Sequence, residues 1–398
     1  MSILRTITTA QFIERHWQKE PLLVRQALAL PSPLIDGDEL AGLACEEELE
    51  SRLVQCDAEQ QHWLCEDGPF DEARFAELPD SHWTLLVQGV DRYEPLINAL
   101  LDEFDFLPRW RIDDIMLSYA VNGGGVGAHF DDYDVFLLQL QGTRRWQLGQ
   151  RCDEHTALRD DAPLKLLREF HPREDYRLEA GDMLYLPPGL AHCGTAVGDD
   201  CITASIGFRS PSLRALAQGS VAALMADLSD RPGYRDTPQA IDADSFRINT
   251  AACGLVSDLA RTINEAITTA KLEQVVHDTF GEQITEPRQV ELIHCDEALS
   301  VSQLDGHINK LMEECRSLQL EHHPSSRFAY ADNERDGDAG CRLFVDGECH
   351  DTTRALARGI CHGEVALACL TKATAQSANR ALLLRLINQG SVSMATYD

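Results

Sequence analysis

His129 and Asp131 place an imidazole and a carboxylate two residues apart, inside the run GGGVGAHFDDYDVF that spans Gly123 to Phe136. In an extended strand the side chains alternate, so residues i and i+2 lie on one face. Their backbones then sit about 6.7 Å apart at about 3.3 Å of rise per residue. An imidazole and a carboxylate at that separation can converge on one metal ion. A third donor comes from Gly181–His192, GDMLYLPPGLAH. It reads as a turn, a strand, a tight Pro-Pro-Gly turn and a histidine opening the next strand. Two histidines and one carboxylate on one side of a metal leave positions open for substrate and oxygen, the donor set of non-haem Fe(II) centres. His129, Asp131 and His192 are therefore the candidate catalytic residues and metal ligands. Asp131 is preferred to Asp132 and Asp134 because only an i,i+2 partner shares the His129 face. The even-numbered aspartates are expected to face away and to hydrogen-bond locally. Alone, an H-x-D on a strand is ordinarily a polar face and a single histidine a satisfied core residue; the combination is the specific signal.

The elements around these residues are strand-rich. Thr8 to Gln11 fits a capping box ahead of a helix carrying Phe12, Ile13 and Trp17. Pro21 ends it, and LLVR reads as a short strand. Residues 37–48 read as helix, Ser51–Gln55 and Gln61–Cys65 as a strand pair, Trp83–Val90 as a strand and Tyr93–Phe104 as a helix. In IDDIMLSYA, Asp114, Met116 and Ser118 share one face and Ile115, Leu117 and Tyr119 the other. Gly123, Gly124, Gly125 and Gly127 lack the strand before and helix after that a dinucleotide loop requires, so they read as a flexible turn bringing backbone close to the metal site. Val135–Leu140 and Arg144–Leu148 are further strands. A charge-rich insertion over 150–177 separates the two halves of the site, and strands resume at Asp182 and over Cys201–Phe208. Several short strands punctuated by turns indicate a β-barrel or sandwich.

Past Pro211 the texture changes. LRALAQGSVAALMADL is helical, a linker rich in Pro, Gly and Asp runs from Asp230 to Asp244, and residues 246–279 have helical spacing. From about 300 a third unit begins with a helix containing INKLMEECRSL. Strand-like RFAYA follows, then a hairpin turning at Asp346-Gly347, a helix ANRALLLRLINQG and a last short strand. Cys341, Cys349, His350, Cys361 and His362 do not fit the usual zinc spacings.

The chain has 398 residues, 35 Lys and Arg against 65 Asp and Glu, and a formal net charge of −30. Such a chain repels nucleic acid and anionic membrane and attracts basic partners, although a merely solubilising acidic surface has the same composition. No run of 18 apolar residues is present to span a bilayer, and no secretory leader is evident at the start. The thirteen cysteines are odd in number and contain no C-x-x-C, which suits a reducing cytoplasm.

These segments together resemble a known family, the JmjC-type double-stranded β-helix oxygenases. Within it the likeness is to bacterial ribosomal oxygenases that hydroxylate an arginine of a large-subunit ribosomal protein. The segments that carry it are FIERHWQKEPLLVR at 12–25, DELAGLA at 38–44, residues 110–146, GDMLYLPPGLAH at 181–192 and SIGFRSP at 205–211. The resemblance is dense over the first ~210 residues and loose beyond, against a chain that a prior of about 150 residues per domain divides in two or three. It implies a mainly β, cupin-like double-stranded β-helix catalytic domain over 1–210, an α-helical dimerisation region over 211–290 and a winged-helix-like α+β domain over 291–398. It implies Fe(II), 2-oxoglutarate as co-substrate and O2, and a homodimer in the cytoplasm. The third unit lacks a strongly basic helix for DNA, so a protein-contact or structural role is expected.

2-Oxoglutarate would chelate the metal through its keto-acid end, and its distal carboxylate needs a cation, best a guanidinium. Arg144 and Arg145 are the candidates and face opposite ways on a strand; the resemblance selects Arg144. Thr203 is a second cofactor contact. For the substrate, the resemblance places Asp114, Met116, Tyr133 and Ser205 at the arginine pocket, Met116 and Tyr133 flanking the side chain and Asp114 and Ser205 holding its head group. Three alternatives stand beside this reading. One is histidine hydroxylation of a ribosomal protein. Another is a metal-binding cupin without 2-oxoglutarate, which would not need Arg144. The third is a non-catalytic acidic adaptor, which would not need an intact triad. Histone demethylation occurs within the wider JmjC family, but the likeness is to the hydroxylases.

Overall fold

The computed structural model describes residues 3–226 apart from 6, 31–32 and 58–61, and residues 271–395 apart from 290–292, 296, 315, 333–339 and 371–373, together with 257, 260, 261 and 264. The linker at 230–244 and most of the helical block at 246–279 lie outside the described residues. The chain divides into two compact units, Met1–Ser210 and Pro211–Asp398.

The first unit opens with two short helices that begin on reciprocal caps. Thr8 accepts from the Gln11 amide ahead of α1 (Thr9–Arg15), and Asp36 accepts from the Glu39 amide ahead of α2 (Gly37–Leu43). Each supplies partners to amides that an isolated helix end leaves bare. Helix α3 (Glu72–Ala76) and α4 (Pro95–Asn98) follow; α4 passes into 3-10 geometry over Ala99–Phe104. The expected strand at 83–90 stops at Val87, and Val90–Arg92 is a 3-10 turn.

Eleven strands build the site. They are β1 (Leu22–Val24), β2 (Ser51–Asp57), β3 (His62–Asp67), β4 (Trp83–Val87), β5 (Ile112–Ala120), β6 (Asp134–Gln141), β7 (Thr143–Arg151), β8 (Glu174–Glu179), β9 (Met183–Leu186), β10 (Leu190–Ala196) and β11 (Cys201–Phe208). Eight form one sheet in the order β1-β9-β6-β11-β5-β4-β2-β3, and three form another in the order β10-β7-β8. Every paired neighbour in both sheets is antiparallel. The inward side chains Val135, Leu137, Leu184 and Leu186 of the large sheet join Trp146, Leu148, Leu178 and Leu190 of the small one in one buried cluster. This two-sheet arrangement is the cupin-type double-stranded β-helix. The large sheet's other face is buried by Phe12, Phe104, Ile97 and Leu101 from the helical segments.

The insertion at 150–177 is shorter than its composition suggested. From Glu174 the chain is β8, which pairs with β7 at Gln147↔Asp175 and Arg145↔Arg177. Its charged side chains point outward, and Leu178 alone on that strand is fully buried, so the strand carries little apolar pattern.

The second unit contains α5 (Leu213–Ala226), α6 (Lys271–Thr285) and α7 (Val301–Glu313). These are followed by β12 (Leu318–His322), β13 (Phe328–Asp332), β14 (Cys341–Val345), β15 (Glu348–Thr352), α8 (Arg354–Cys361), β16 (Glu364–Val365), α9 (Thr374–Asn388) and β17 (Val392–Met394). Leu304, Ile308, Leu343, Leu356, Ile360, Leu383 and Leu386 share its core. Strands β14 and β15 pair through a two-residue turn at Asp346-Gly347, both with positive φ (51° and 81°), the turn whose twist matches a right-handed hairpin.

Candidate metal centre

His129, Asp131 and His192 come together. One donor atom from each lies within 4.8 Å of the other two, and among the described residues no other group of metal-binding side chains does this. His192 Nε2 is 3.6 Å from Asp131 Oδ2, and the two imidazole centroids are 4.3 Å apart. The segment holding His129 and Asp131 is not the regular strand that the alternation suggested. It is an extended approach to β6 that pairs with β10 at a single bridge. The His129 amide donates to His192 O at 3.0 Å, the His192 amide donates back at 2.8 Å, and the Gly189 amide donates to Asp131 O at 2.8 Å. The i,i+2 relation survives because the backbone is still extended there.

The glycine run before His129 is locked in place. Gly123 N donates to Ala196 O and Ala196 N to Gly124 O. A Cβ on Gly124 would stand 2.1 Å from Trp83 O, and one on Gly125 would stand 2.2 Å from Gly194 O. The glycines therefore permit close backbone approach and rigid seating of the loop, not the flexible turn their number suggested.

Second contacts fix the histidines for metal binding. Nδ1 of His129 lies 3.0 Å from Gly127 O and Nδ1 of His192 lies 2.9 Å from Leu190 O. A carbonyl only accepts, so each Nδ1 carries the proton and each Nε2 keeps its lone pair. Burial, reinforced by His129, pushes the His192 imidazole down to about 4, which keeps it neutral as a ligand must be. Two neutral imidazoles and one carboxylate suit a divalent Fe(II) or Mn(II) centre.

Asp132 is exposed, but Asp134 is not the locally bonded residue expected. It is completely buried, accepts from Tyr185 Oη at 2.6 Å and Gln18 Nε2 at 3.2 Å, and pairs with Arg111 at 3.1 Å. Its partners lie far away in sequence, so no local pattern announces them. They pin the start of β6 directly after the ligand loop.

Arg144 and Arg145 part as alternation requires. Arg145 is exposed and chelated by Asp175 through Nε and Nη2. Arg144 is 3% exposed, stacks over Trp146 at 5.4 Å, and donates from Nη1 to Ser118 Oγ at 2.7 Å and Thr203 Oγ1 at 3.3 Å. Thr203 in turn donates to Gln139 Oε1 at 2.9 Å. Arg144 Nε is buried with no hydrogen-bond partner, and among the described residues no carboxylate pairs with this guanidinium. Burial pulls its pKa below the ordinary value. A buried cation without a counter-ion is costly, so this end of the site fits an anionic ligand. Ser118 and Gln139 had no assigned role in the sequence; Ser118 stood on the face of Asp114 and Met116, which was the available signal.

The remaining predicted residues line the same inner face. Ser205 on β11 is paired with Met116 on β5. Asp114 is 2% exposed, with Oδ2 accepting from Gln88 Nε2 at 2.8 Å and 3.9 Å from Arg92 Nη2. Tyr133 is 44% exposed at the open end. Gln88 and Arg92 were not legible as partners of Asp114, because they come from the end of β4 and the 3-10 turn after it.

A cavity of about 1010 Å³ lies along the ligand loop, bounded by Gly125, Gly127, Ala128, Cys193, Trp63, Leu166 and Phe170. The insertion thus contributes apolar wall as well as charge.

A family model described as the JmjC domain matches residues 99–216. The chain is 41% identical over 217 residues to the ribosomal protein uL16 3-hydroxylase of Escherichia coli K12, a match covering 54% of this chain and 56% of that protein. It spans about half the length of the curated relatives it matches. A solved structure of YcfD, a ribosomal oxygenase from Escherichia coli in complex with cobalt and 2-oxoglutarate, aligns with 98% of this chain and 99% of its own at 29% identity and a TM-score of 0.75. A second structure of that protein aligns over the same shares at 30% identity and the same TM-score.

Proposed function

Because this chain belongs to the JmjC-domain ribosomal oxygenases, we propose that it is an Fe(II)- and 2-oxoglutarate-dependent hydroxylase of an arginine side chain in a large-subunit ribosomal protein. The observation that carries the reading is Arg144. It is a buried guanidinium lacking a carboxylate partner among the described residues, in the same barrel as the two-histidine, one-carboxylate cluster. A cupin that held only a metal would gain nothing from that charge.

His129, Asp131 and His192 hold the metal by Nε2, a carboxylate oxygen and Nε2. Arg144 and Thr203 bind the distal carboxylate of 2-oxoglutarate, with Ser118 and Gln139 orienting them. When bound, the metal and 2-oxoglutarate supply what side chains lack, oxygen activation coupled to decarboxylation of the co-substrate to succinate and carbon dioxide. Trp146, Leu148 and Leu190 wall this end with apolar surface and exclude water. At the other end Asp114 and Ser205 receive the guanidinium of the substrate, while Met116 and Tyr133 flank its planar faces. The net charge of −30 favours encounter with a basic ribosomal protein, and the uL16 hydroxylase relative makes uL16 the first protein to offer.

The test supplies Fe(II), 2-oxoglutarate and uL16 peptides containing arginine or histidine, and reads the mass gain of one oxygen atom. Arginine peptides gain it, His129→Ala abolishes both that gain and succinate formation, and Asp114→Ala cuts the yield. Oxidation of histidine alone, succinate formation unchanged in His129→Ala, or arginine oxidation undiminished in Asp114→Ala refutes the assignments.

The second unit is proposed as the assembly part. Residues 211–285 form the homodimer contact, supported by exposed Leu213, Val221 and Val276 on α5 and α6; light scattering gives twice 44.3 kDa, and a monomer mass at micromolar protein rejects it. Residues 291–398 act as a winged-helix-like protein-contact domain. In support, Arg380 and Arg385 of α9 are paired with Asp305 and Glu348, which leaves that helix little charge to offer DNA. No helix among the described residues is long and apolar enough to cross a membrane, and the proposed place of action is the cytoplasm, where ribosomes are.

A further inference from the structure

Gly207 occupies an inner-face position of β11, two residues beyond Ser205 and four beyond Thr203. Glycine inside a strand weakens it relative to alanine, so its presence calls for a local reason. Two of the usual reasons, a positive φ and a close approach of another backbone, are missing. Its φ is not among the positive values of this chain. A Cβ there would meet nothing nearer than Asp114 Oδ1 and Tyr133 Cε2, both at 3.9 Å, with Asp113 Cβ at 4.0 Å. Those are ordinary contacts, unlike the 2.2 Å at Gly125 and 2.6 Å at Gly194. Among the described residues no backbone or side chain forbids a Cβ there, yet the site is buried. Glycine in a strand also marks places where a ligand approaches closely.

The neighbouring strand is shaped around the same point. Opposite Gly207 the register shifts, with Ile206 paired to Ile115 but Phe208 paired to Ile112. The extra residue lies on β5 at Asp113–Asp114, and Ile112 and Ile115 both still reach the outer core. A bulge re-aims a side chain. Here Gln88 holds Asp114 by Oδ2, while Oδ1 is turned to Gly207.

We propose that Gly207 is the specificity-determining position of the substrate pocket, leaving between the Asp114 carboxylate and the Tyr133 ring the space that the planar cationic head group of the substrate fills. This rests on the arginine-hydroxylase reading and deepens it. In Gly207→Val the methyl branches extend about 1.5 Å beyond Cβ, towards Asp114 and Tyr133. Gly207→Ala places only the tolerated Cβ there.

The experiment uses the full chain loaded with Mn(II), and a fluorescein-labelled arginine peptide of uL16 read by anisotropy. Affinity for 2-oxoglutarate and the melting temperature are measured alongside. Gly207→Val weakens peptide binding at least tenfold and Gly207→Ala by a smaller factor, with 2-oxoglutarate affinity as in the wild type. Wild-type peptide affinity in both variants overturns the proposal, and so does a 2-oxoglutarate affinity that falls in step with the peptide's. Should the valine variant melt early, the alanine variant decides alone: undiminished affinity refutes, graded loss supports. A wild-type protein that binds 2-oxoglutarate but no arginine peptide refutes the substrate reading itself, a different result from an unchanged variant.

Discussion

The two faces of the large sheet use the same strands for opposite purposes. On β11, Ile202, Ala204, Ile206 and Phe208 join the outer core, whereas Thr203, Ser205 and Gly207 face inward. On β5, Ile115 and Leu117 go outward, and Asp114, Met116 and Ser118 inward. The outer face is closed by aromatic packing: Phe136 lies 4.8 Å from Tyr185, 5.0 Å from Phe104, 5.4 Å from Phe208 and 5.7 Å from Phe12. The inner face contains a guanidinium with no carboxylate partner among the described residues, a buried carboxylate and a strand glycine, each of which costs stability where it stands. Period-two alternation lets one strand satisfy both demands, so damage to the two faces should separate cleanly into lost stability and lost binding.

The largest separation is expected at Phe136. It is completely buried, and Phe136→Ala removes packing with these four rings and with Trp17 and Phe106 besides, a loss of about 3–5 kcal/mol. Denaturant unfolding of the metal-free protein should show it as a lowered midpoint with the slope unchanged. A loss below about 1 kcal/mol would mean the outer face is not the main source of stability in this unit.

Asp91 sits beside both faces. Its Oδ1 accepts from the Ile115 amide at 2.8 Å, and the nearby Asp114 carboxylate acts on it electrostatically. Burial, with Asp114 reinforcing it, pushes the Asp91 carboxyl up to about 6. The native state therefore holds this proton more tightly than the unfolded chain does. Its stabilising contribution is complete below about pH 4 and is lost as pH rises to about 6. Asp91→Asn keeps an acceptor for Ile115 and has no charge to bury. The variant's stability relative to wild type should rise by about 2 kcal/mol between pH 4 and pH 7. Parallel stability curves for the two proteins over that range would show that Asp91 is not titrating there.

Sequence carried the site further than it carried its supports. The triad was legible because its two signals are local: an i,i+2 pair in extended chain, and a histidine after a Pro-Pro-Gly turn. The strands were legible from alternation, and the hairpin at Asp346-Gly347 from the demand for two positive φ values. Asp134 was misjudged because Gln18, Arg111 and Tyr185 reach it from three separate segments. The glycine loop was misjudged because the atoms that make it rigid, Trp83 O and Gly194 O, belong to other strands. The β5 bulge and the hold of Gln88 on Asp114 left no trace in composition, since each depends on register between strands. Side-chain type and short spacing reveal ligands; tertiary partners decide what holds them.

Arg144 and Arg145 offer the finest form of the comparison, two identical side chains one residue apart on opposite faces of β7. Arg145 is exposed and paired with Asp175, and its removal loses only a solvent-screened surface ion pair. Arg144 is buried and points Nη1 at Ser118 and Thr203. A charged hydrogen bond to a bound carboxylate contributes about 1.5–3 kcal/mol, so Arg144→Ala should raise the 2-oxoglutarate concentration for half-saturation by roughly tenfold to a hundredfold. Arg145→Ala should leave it within about twofold. The stability of the ligand-free protein should hold or rise in Arg144→Ala, because a buried charge without a counter-ion has been removed. Thr203→Val belongs on the same axis, deleting one hydroxyl contact at nearly constant shape. It should weaken 2-oxoglutarate by a smaller factor than Arg144→Ala does, about 0.5–1.5 kcal/mol. Titrations of 2-oxoglutarate into the Mn(II)-loaded variants measure all three. Equal losses from the two arginines would mean that the inner face of β7 does not receive the co-substrate.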